Sequence, residues 1–496
     1  MKKIVFCAAV LAYVTLACNK HLDETAYSSI YTKDFYSNAA EAEAASTAVY
    51  GGLYDLYNVG GTVFAPEWSA DQMFPRNVVA RGSVTLFTYD PQYSAMNSFG
   101  RGHESPMTIW ENSYRGIEKA NWVLAKVPAT PMDVDRRNAI LGEAYFLRAF
   151  FHWMLAKNYG DVVIKIAPTN SIENSYVCKS TRKEVYQQIY KDLDQAIKLL
   201  PDYTPAIVKG RASKQAAELL HAKAALYDEN WPVALEKARA VINSGKYSLM
   251  PSIKDLFDPA KEDIARQEVL FAVEMNMNLN PVRWSQVHYF AAPLGSSEYN
   301  KGGAGAMYAY MSFFNSFDPM DTRRSLLDTT YKTATGAVIP QARIDTRLAT
   351  KDLVLMSKYK DVNSIGSYAN NNIPILRLAD AYLIGAEAEA RLNGPSGTAY
   401  THINTVRRRA GLPDLNAGLS REAFIDAVLQ ERSWEFFGEA DRWYDLTRTN
   451  TFLTVIPRVV NADYPVRNPL PKHRYFPIPQ PEINANPKLV QNPSWK

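Results

Sequence analysis

From Lys183 to Leu200 the apolar side chains stand at Val185, Ile189, Leu193, Ala196 and Leu200, with charged and polar residues between them. That spacing gathers them on one face of a helix. Thr181 and Glu184, just ahead, have the spacing of a capping box, and Pro201 closes the segment. The same pattern predicts helices over about Ala39–Tyr57, Thr108–Val127, Arg136–Tyr159, Ser213–Asp228, Pro232–Ser244, Pro374–Leu392, Ala399–Ala410 and Arg421–Leu446. Several come as pairs joined by a few residues. Alanines at Ala216, Ala217, Ala222, Ala224, Ala225, Ala234 and Ala238 would let one such pair pack closely, as in tetratricopeptide-like stacks.

Two stretches break the pattern. Gly60–Arg101 and Glu274–Ala349 are rich in Gly, Pro, Asn, Ser and aromatic residues and predict irregular, loop-rich structure. Short strands are expected at Val269–Val273 and Leu353–Met356. The Pro- and Asn-rich tail Pro469–Lys496 is expected to lie extended on the surface. Long irregular segments are commonly functional or disordered, and the aromatic content of these argues against disorder. The fold class expected is mostly α: a scaffold of helix pairs carrying an irregular ligand-binding portion and a few short strands. No Ser/Gly tract, charge block or low-complexity run divides it, so residues 18–496 are expected to form one domain.

The first residues have their own pattern. Met1, Lys2 and Lys3 precede an apolar run, Ile4–Leu16, and Ala17 and Cys18 close it. A basic start, a short apolar stretch and a small residue describe a secretory signal over residues 1–17. The run is shorter than the roughly 20 apolar residues that span a bilayer. Ala17 before Cys18 reads as a bacterial lipobox with Cys18 as the lipidated residue, although Thr15 stands where that box prefers Leu. The alternative is an ordinary secreted protein with a chance cysteine. Cys7 would leave with the signal, so only Cys178 remains and no internal disulfide framework can form.

Composition narrows the function classes. The net charge of +4 is small for 496 residues, and no basic stripe alternates with aromatics, which argues against nucleic acid as a partner. Aromatic residues make up 12% of the chain, with 30 Tyr, and suit recognition of amphipathic ligands. Enzyme signatures are weak. Glu218 and His221 form a Glu-x-x-His, but a di-iron site needs a second such pair and further glutamates. No zinc-protease, Cys-x-x-Cys or P-loop pattern occurs, and Gly302-Gly303-Ala304-Gly305 reads as a flexible loop. Glu435, Glu439, Asp441 and Asp445 could suggest paired catalytic carboxylates. Arg432, Arg442 and Arg448 lie within a turn or two of them, which would keep the carboxylates ionised, the reverse of what a general acid needs. The expectation is no catalytic residue, no metal and no cofactor.

Several longer stretches resemble the SusD/RagB family of lipoproteins. GEAYFLRAFFHWMLAKNYGDVVI, within Arg136–Ile164, is similar to that family's Glu-Ala-x-x-x-Arg-Ala helix and Tyr-Gly-Asp turn. GRASKQAAELLHAKAALY from Gly210, RLADAYLIGAEAEARL from Arg377, NTVRRRAGLP from Asn404, ERSWEFFGEADRWYDLTR from Glu431 and the ending YFPIPQPEINANPKLVQNPSW are similar to further hallmarks, in collinear order. Asp23-Glu24 is similar to the acidic signal that sends such lipoproteins to the cell surface in Bacteroidetes. The resemblance implies an N-terminal part of about 18–340 intertwined with a C-terminal part of about 260–496. It implies an outer-membrane, lipid-anchored protein that captures oligosaccharide and delivers it to a SusC-like TonB-dependent transporter. Peptide capture, as in the RagB branch, is the alternative; a surface glycosidase and a ligand-free scaffold are others. It places the ligand surface in the irregular segments. The first follows Ser69-Ala70-Asp71-Gln72, which departs from the family's Ser/Thr-Asp-Glu stretch, and offers Asp71, Phe74, Arg76 and Asn77. The second precedes Asp321-Thr322-Arg323 and offers Trp284, Tyr289, Tyr299, Tyr308 and Tyr310.

Overall fold

Helical propensity and burial of one face build most of the molecule. The computed structural model describes residues 35–57, 61–76, 78–92, 106–278, 286–299, 301–366 and 368–496. Cys18, Asn77 and Trp284 lie outside the described residues. Counting helices of seven residues or more, the chain runs α1 (Ala39–Tyr57), α2 (Gly61–Ser69), α3 (Val79–Leu86), α4 (Met107–Lys126), α5 (Val134–Tyr159), α6 (Arg182–Leu199), α7 (Lys214–Tyr227), α8 (Trp231–Asn243), α9 (Leu378–Asn393), α10 (Gly397–Arg409), α11 (Arg421–Glu435) and α12 (Arg442–Arg448). The predicted capping box of α6 is present: the Thr181 hydroxyl accepts from Glu184 N–H and Glu184 accepts from Thr181 N–H at 2.8 Å.

Each helix from α4 to α10 packs on the next, with α1 on α4 and α11 on α9. Helix α5 is buried on nearly all sides from Ile140 onward and forms the centre of the stack. Glycines set the closest approach. A Cβ on Gly116 would lie 2.3 Å from the Phe151 ring, and one on Gly52 would lie 3.0 Å from the same ring, so α1, α4 and α5 meet where neither α1 nor α4 has a side chain. A second, smaller core lies among α9, α10 and α11. Among the described residues, no helix is long and apolar enough to cross a membrane.

Between α8 and α9 the chain leaves the stack and builds the irregular portion. It holds β2 (Val269–Val273), β3 (Met307–Ala309), β4 (Leu327–Asp328), β5 (Tyr331–Lys332), β6 (Val338–Ile339), β7 (Leu355–Met356) and β8 (Ile373–Arg377); β1 (Met73–Pro75) joins from the N-terminal side. Among the described residues these strands pair two by two and antiparallel: β1 with β3, β2 with β8, β4 with β7, β5 with β6.

Four expectations change. The helix predicted from Pro374 starts at Leu378, because 373–377 is a strand against β2. The helix predicted over Arg421–Leu446 breaks after Glu435. Gly438 and Ala440 take positive φ there (74° and 66°), and Lys358 Nζ draws in the carbonyls of Glu435 and Phe437 at 3.2 and 2.8 Å. The first irregular stretch contains α2 and α3, which are only 9 and 8 residues long, and Pro66 inside α2 reads as a helix breaker. The tail is not a surface strap: Phe476, Ile478, Leu489 and Trp495 are buried, and Asn492 Nδ2 caps the end of α5 at Tyr159 O, 2.7 Å.

Candidate ligand-binding site

The site is positioned by the exit from α2. The last carbonyls of that helix need donors, and Arg467 supplies them. Its Nη2 reaches the carbonyls of Trp68, Ser69 and Ala70 at 3.2, 3.1 and 2.9 Å. Asp71 is then fixed by a bidentate pair with Arg442, at 2.9 and 2.8 Å, and Gln72 donates to the Ser433 carbonyl at 2.7 Å. The stretch expected to lead into the ligand loop is thus a clamp onto the C-terminal part. Asp71 has its charge answered inside the protein.

The chain continues as β1, whose register with β3 sets Phe74 opposite Tyr308 and Pro75 opposite Met307. Pro75 has no N–H to give, which a two-stranded sheet tolerates. The ladder runs on at both ends: Arg76 N–H donates to Ala306 O at 3.0 Å and Tyr310 N–H to Gln72 O at 2.9 Å. The two segments singled out in the sequence therefore meet here. Their aromatic rings, however, face inward. Phe74, Tyr308 and Tyr310 are 1%, 0% and 2% exposed, with centroids 5.9 Å apart for Phe74–Tyr308 and 4.7 Å for Phe74–Tyr310. The ring faces a sugar would stack on are covered, and these side chains form the floor beneath the site. Tyr299 lies elsewhere. It is buried, donates to Asp328 at 2.6 Å, and carries Lys360 over its ring at 4.2 Å. Those two partners line a separate polar cleft of about 610 Å³.

At the β1–β3 junction Arg76 is half-buried and Arg347 is exposed, and Tyr289, also half-buried, joins the same region through its carbonyl, which accepts from Ala304 N–H. Arg81 lies over the Phe290 ring at 4.5 Å. Arg347 grips Asp345 through Nε and Nη2 at 2.7 and 2.6 Å and donates to Gly305 O at 3.0 Å. Tyr308 donates to Asp345 from below at 2.7 Å. Burial alone would raise the Asp345 carboxyl, but the bonds from Arg347 and Tyr308 hold it below its ordinary value. Desolvation, then the charges of Arg347 and Arg81, lower Arg76. The glycine-rich segment is not a loose loop. Ala304 and Gly305 donate to Tyr289 O and Ala292 O at 2.8 and 2.9 Å, and a Cβ on Gly303 would lie 2.5 Å from Ala292.

Arg81, Asp345 and Arg347 were not legible as site residues. The one available signal is a second Asp-Thr-Arg, Asp345-Thr346-Arg347, repeating Asp321-Thr322-Arg323. Both copies fold alike, with the Asp accepting from the backbone N–H and the guanidinium two residues on. The first is buried and turned toward Glu431 and Glu435; the second opens to solvent.

Two family models match the chain. One, described as the SusD family, covers residues 328–495; the other, described as starch-binding associating with outer membrane, covers residues 20–226. The chain belongs to the SusD family. SusD-like protein P25 of Formosa agariphila is 25% identical over 97% of this chain and 96% of its own length. SusD-like protein P2 of the same organism is 26% identical over 99% of each. Among solved structures, a SusD superfamily protein from Parabacteroides distasonis superposes with a TM-score of 0.78 at 20% identity, covering 94% of this chain and all of the other. Surface glycan-binding protein A from Bacteroides thetaiotaomicron in complex with laminarihexaose superposes with a TM-score of 0.75 at 21% identity, covering 92% and 99%.

The SusD hallmarks have structural roles in this chain. In α5, Glu143 takes up Arg136, Arg211 and Ser46, while Arg148 pairs with Asp192 at 2.8 and 2.6 Å. In the stretch after Glu431, Glu435 and Glu439 find their cations on other elements, whereas Asp445 pairs with Arg448 on its own helix and with Arg432. Glu435 meets Arg323, Arg377 and Arg409; Glu439 meets Arg377 and Lys358. Both are held below their ordinary pKa: burial opposes this, and the facing guanidiniums and ammonium outweigh it. Asp441, beside Lys223, goes the other way: desolvation, helped by the charge of Asp380, outweighs the attraction of Lys223 and Arg432. In α7, His221 stacks on Tyr190 at 4.9 Å and burial lowers it to about 4. No group of side chains able to hold a metal ion occurs among the described residues.

Proposed function

We propose that this SusD-family protein is a cell-surface lipoprotein, anchored through Cys18 to the outer membrane. It captures an oligosaccharide at the β1–β3 junction and delivers it to a SusC-like TonB-dependent transporter. The observation that carries the reading is the match of a starch-binding, outer-membrane-associating family model to residues 20–226, the part that supplies β1 and Arg76. The junction supports it. Tyr289 offers a half-buried ring and Arg76 and Arg347 offer a fan of N–H donors, the combination that stacks on a sugar face and bonds its hydroxyls. The structure of the laminarihexaose-binding relative shares the fold.

The test is affinity electrophoresis of lipid-free protein beginning at Asn19 through gels cast with plant, algal, host and microbial polysaccharides. At least one should retard it. Tyr289→Ala should weaken that retardation by about 1–3 kcal/mol, as for a hot-spot aromatic. Retardation by none, with binding to a peptide pool instead, would replace glycan capture by peptide capture. Delivery is tested separately, by whether the lipidated protein co-purifies with an outer-membrane transporter from detergent extracts.

A further inference from the structure

A guanidinium on a protein surface is normally answered by a carboxylate or by water, and one held partly out of water without a partner is costly. The charge of one carboxylate, Asp345, acts on both Arg76 and Arg347, but of the two only Arg347 bonds to it. Its acceptor positions are taken. Oδ1 receives Arg347 N–H at 3.0 Å and Nε at 2.7 Å, and Oδ2 receives Nη2 at 2.6 Å and the Tyr308 hydroxyl at 2.7 Å. A carboxylate offers about four lone-pair positions, so none is left for Arg76. The Arg76 side chain makes no hydrogen bond or ion pair among the described residues, and its Nε is buried without a partner. The backbone holds it there regardless, through Arg76 N–H to Ala306 O and the β1–β3 register. Arg347 is equally fixed, since Gly305, at φ 53°, brings its carbonyl against the guanidinium where a Cβ would lie 3.1 Å from Nη2.

A neutral sugar lying on this junction would strip water from both guanidiniums and return only hydroxyls. A carboxylate or sulfate would return charge and two acceptors to Arg76, in the planar geometry a guanidinium prefers. We propose that the glycan captured here is anionic, a chain bearing carboxylate or sulfate groups, with Arg76 as the residue that binds the acid group and Arg347 beside it. This rests on the glycan-capture reading and narrows its ligand class.

The experiment sets lipid-free wild type against Arg76→Gln and Arg76→Lys in gels containing laminarin, polygalacturonate, alginate, carrageenan or chondroitin sulfate, at low and physiological salt. Arg76 has no internal side-chain partner, so both variants should fold, which circular dichroism checks. The expected result is retardation by at least one acidic polysaccharide, weakened by salt and about tenfold or more weaker in Arg76→Gln, the loss of a charge-assisted pair, with Arg76→Lys between. Retardation by laminarin alone would overturn the anionic assignment and leave glycan capture standing. Equal retardation of wild type and Arg76→Gln by an acidic polysaccharide would overturn it too. Retardation by none of the five would remove it together with the capture reading for these glycans.

Discussion

At the scale of single residues, charge placement decides what each group can do. Glu435 is fully enclosed, with Arg377 at 2.8 Å, Arg323 at 3.2 Å and Arg409 also in contact. Three cations hold one carboxylate ionised, which denies it the proton a general acid must carry. Glu435→Gln should therefore leave buried arginines short of an anion and cost about 3–5 kcal/mol in urea unfolding. Neither wild type nor variant should hydrolyse any glycan that binds. Hydrolysis lost in the variant would return Glu435 to catalysis. Glu67 is the opposite case. One oxygen accepts Ala440 N–H at 2.7 Å, the other has no partner, and burial pushes the carboxyl up to about 8. Between an unfolded value near 4.3 and that figure, the native state keeps a proton the unfolded chain has lost. The contribution of Glu67 is thus present at low pH and disappears as pH rises through about 8. Glu67→Gln, neutral at every pH, should show a melting temperature that falls less from about pH 5 to 8 than wild type does. Parallel profiles would place the Glu67 pKa near that of a free carboxyl.

At the scale of elements, the glycine contacts separate two otherwise similar substitutions. Gly116→Ala puts a methyl within 2.3 Å of the Phe151 ring, whereas Gly51→Ala meets nothing within 4 Å. The first should destabilise by about 1–3 kcal/mol through overpacking. The second should stabilise by about 0.5–1 kcal/mol, the helix-interior preference for Ala over Gly. Equal urea midpoints would mean that α1, α4 and α5 are further apart than described. Helices such as α1 and α6 were readable from sequence because solvent on one side leaves a one-sided apolar stripe. The short α2 and α3, with 9 and 8 residues, and the turn after Glu435 span too few helical turns to establish such a pattern. The site divides the same way. Arg76 and Tyr289 lie in segments whose composition marked them. Arg81, Asp345 and Arg347 matter only through the β1–β3 pairing, which joins positions more than 200 residues apart and has no local signature. Aromatic content alone misplaced Phe74, Tyr308 and Tyr310, since a ring suited to stacking on sugar is equally suited to stacking on another ring.

At the scale of the molecule, the two ends of the chain complete one another. Asp71 pairs with Arg442, Gln72 with Ser433, Glu67 with Ala440, and Arg467 satisfies the end of α2, with 371, 361, 373 and 397–399 residues between partners. The irregular portion is closed at its base by β2 with β8, so it leaves and re-enters the same stack between α8 and α9. Cutting the chain anywhere near residue 300 would leave arginines and carboxylates buried without partners on both sides, a penalty neither fragment can recover. An N-terminal and a C-terminal unit that fold independently would have few such crossings. We therefore expect one cooperative urea transition for the lipid-free protein, with tryptophan fluorescence and far-ultraviolet circular dichroism giving the same midpoint. The tryptophans sample both ends, from Trp68 in α2 to Trp443 in α12 and Trp495 at the tail. A part that unfolded first would thus separate the two probes, and that separation would show that the halves, though interlocked, hold their own structure.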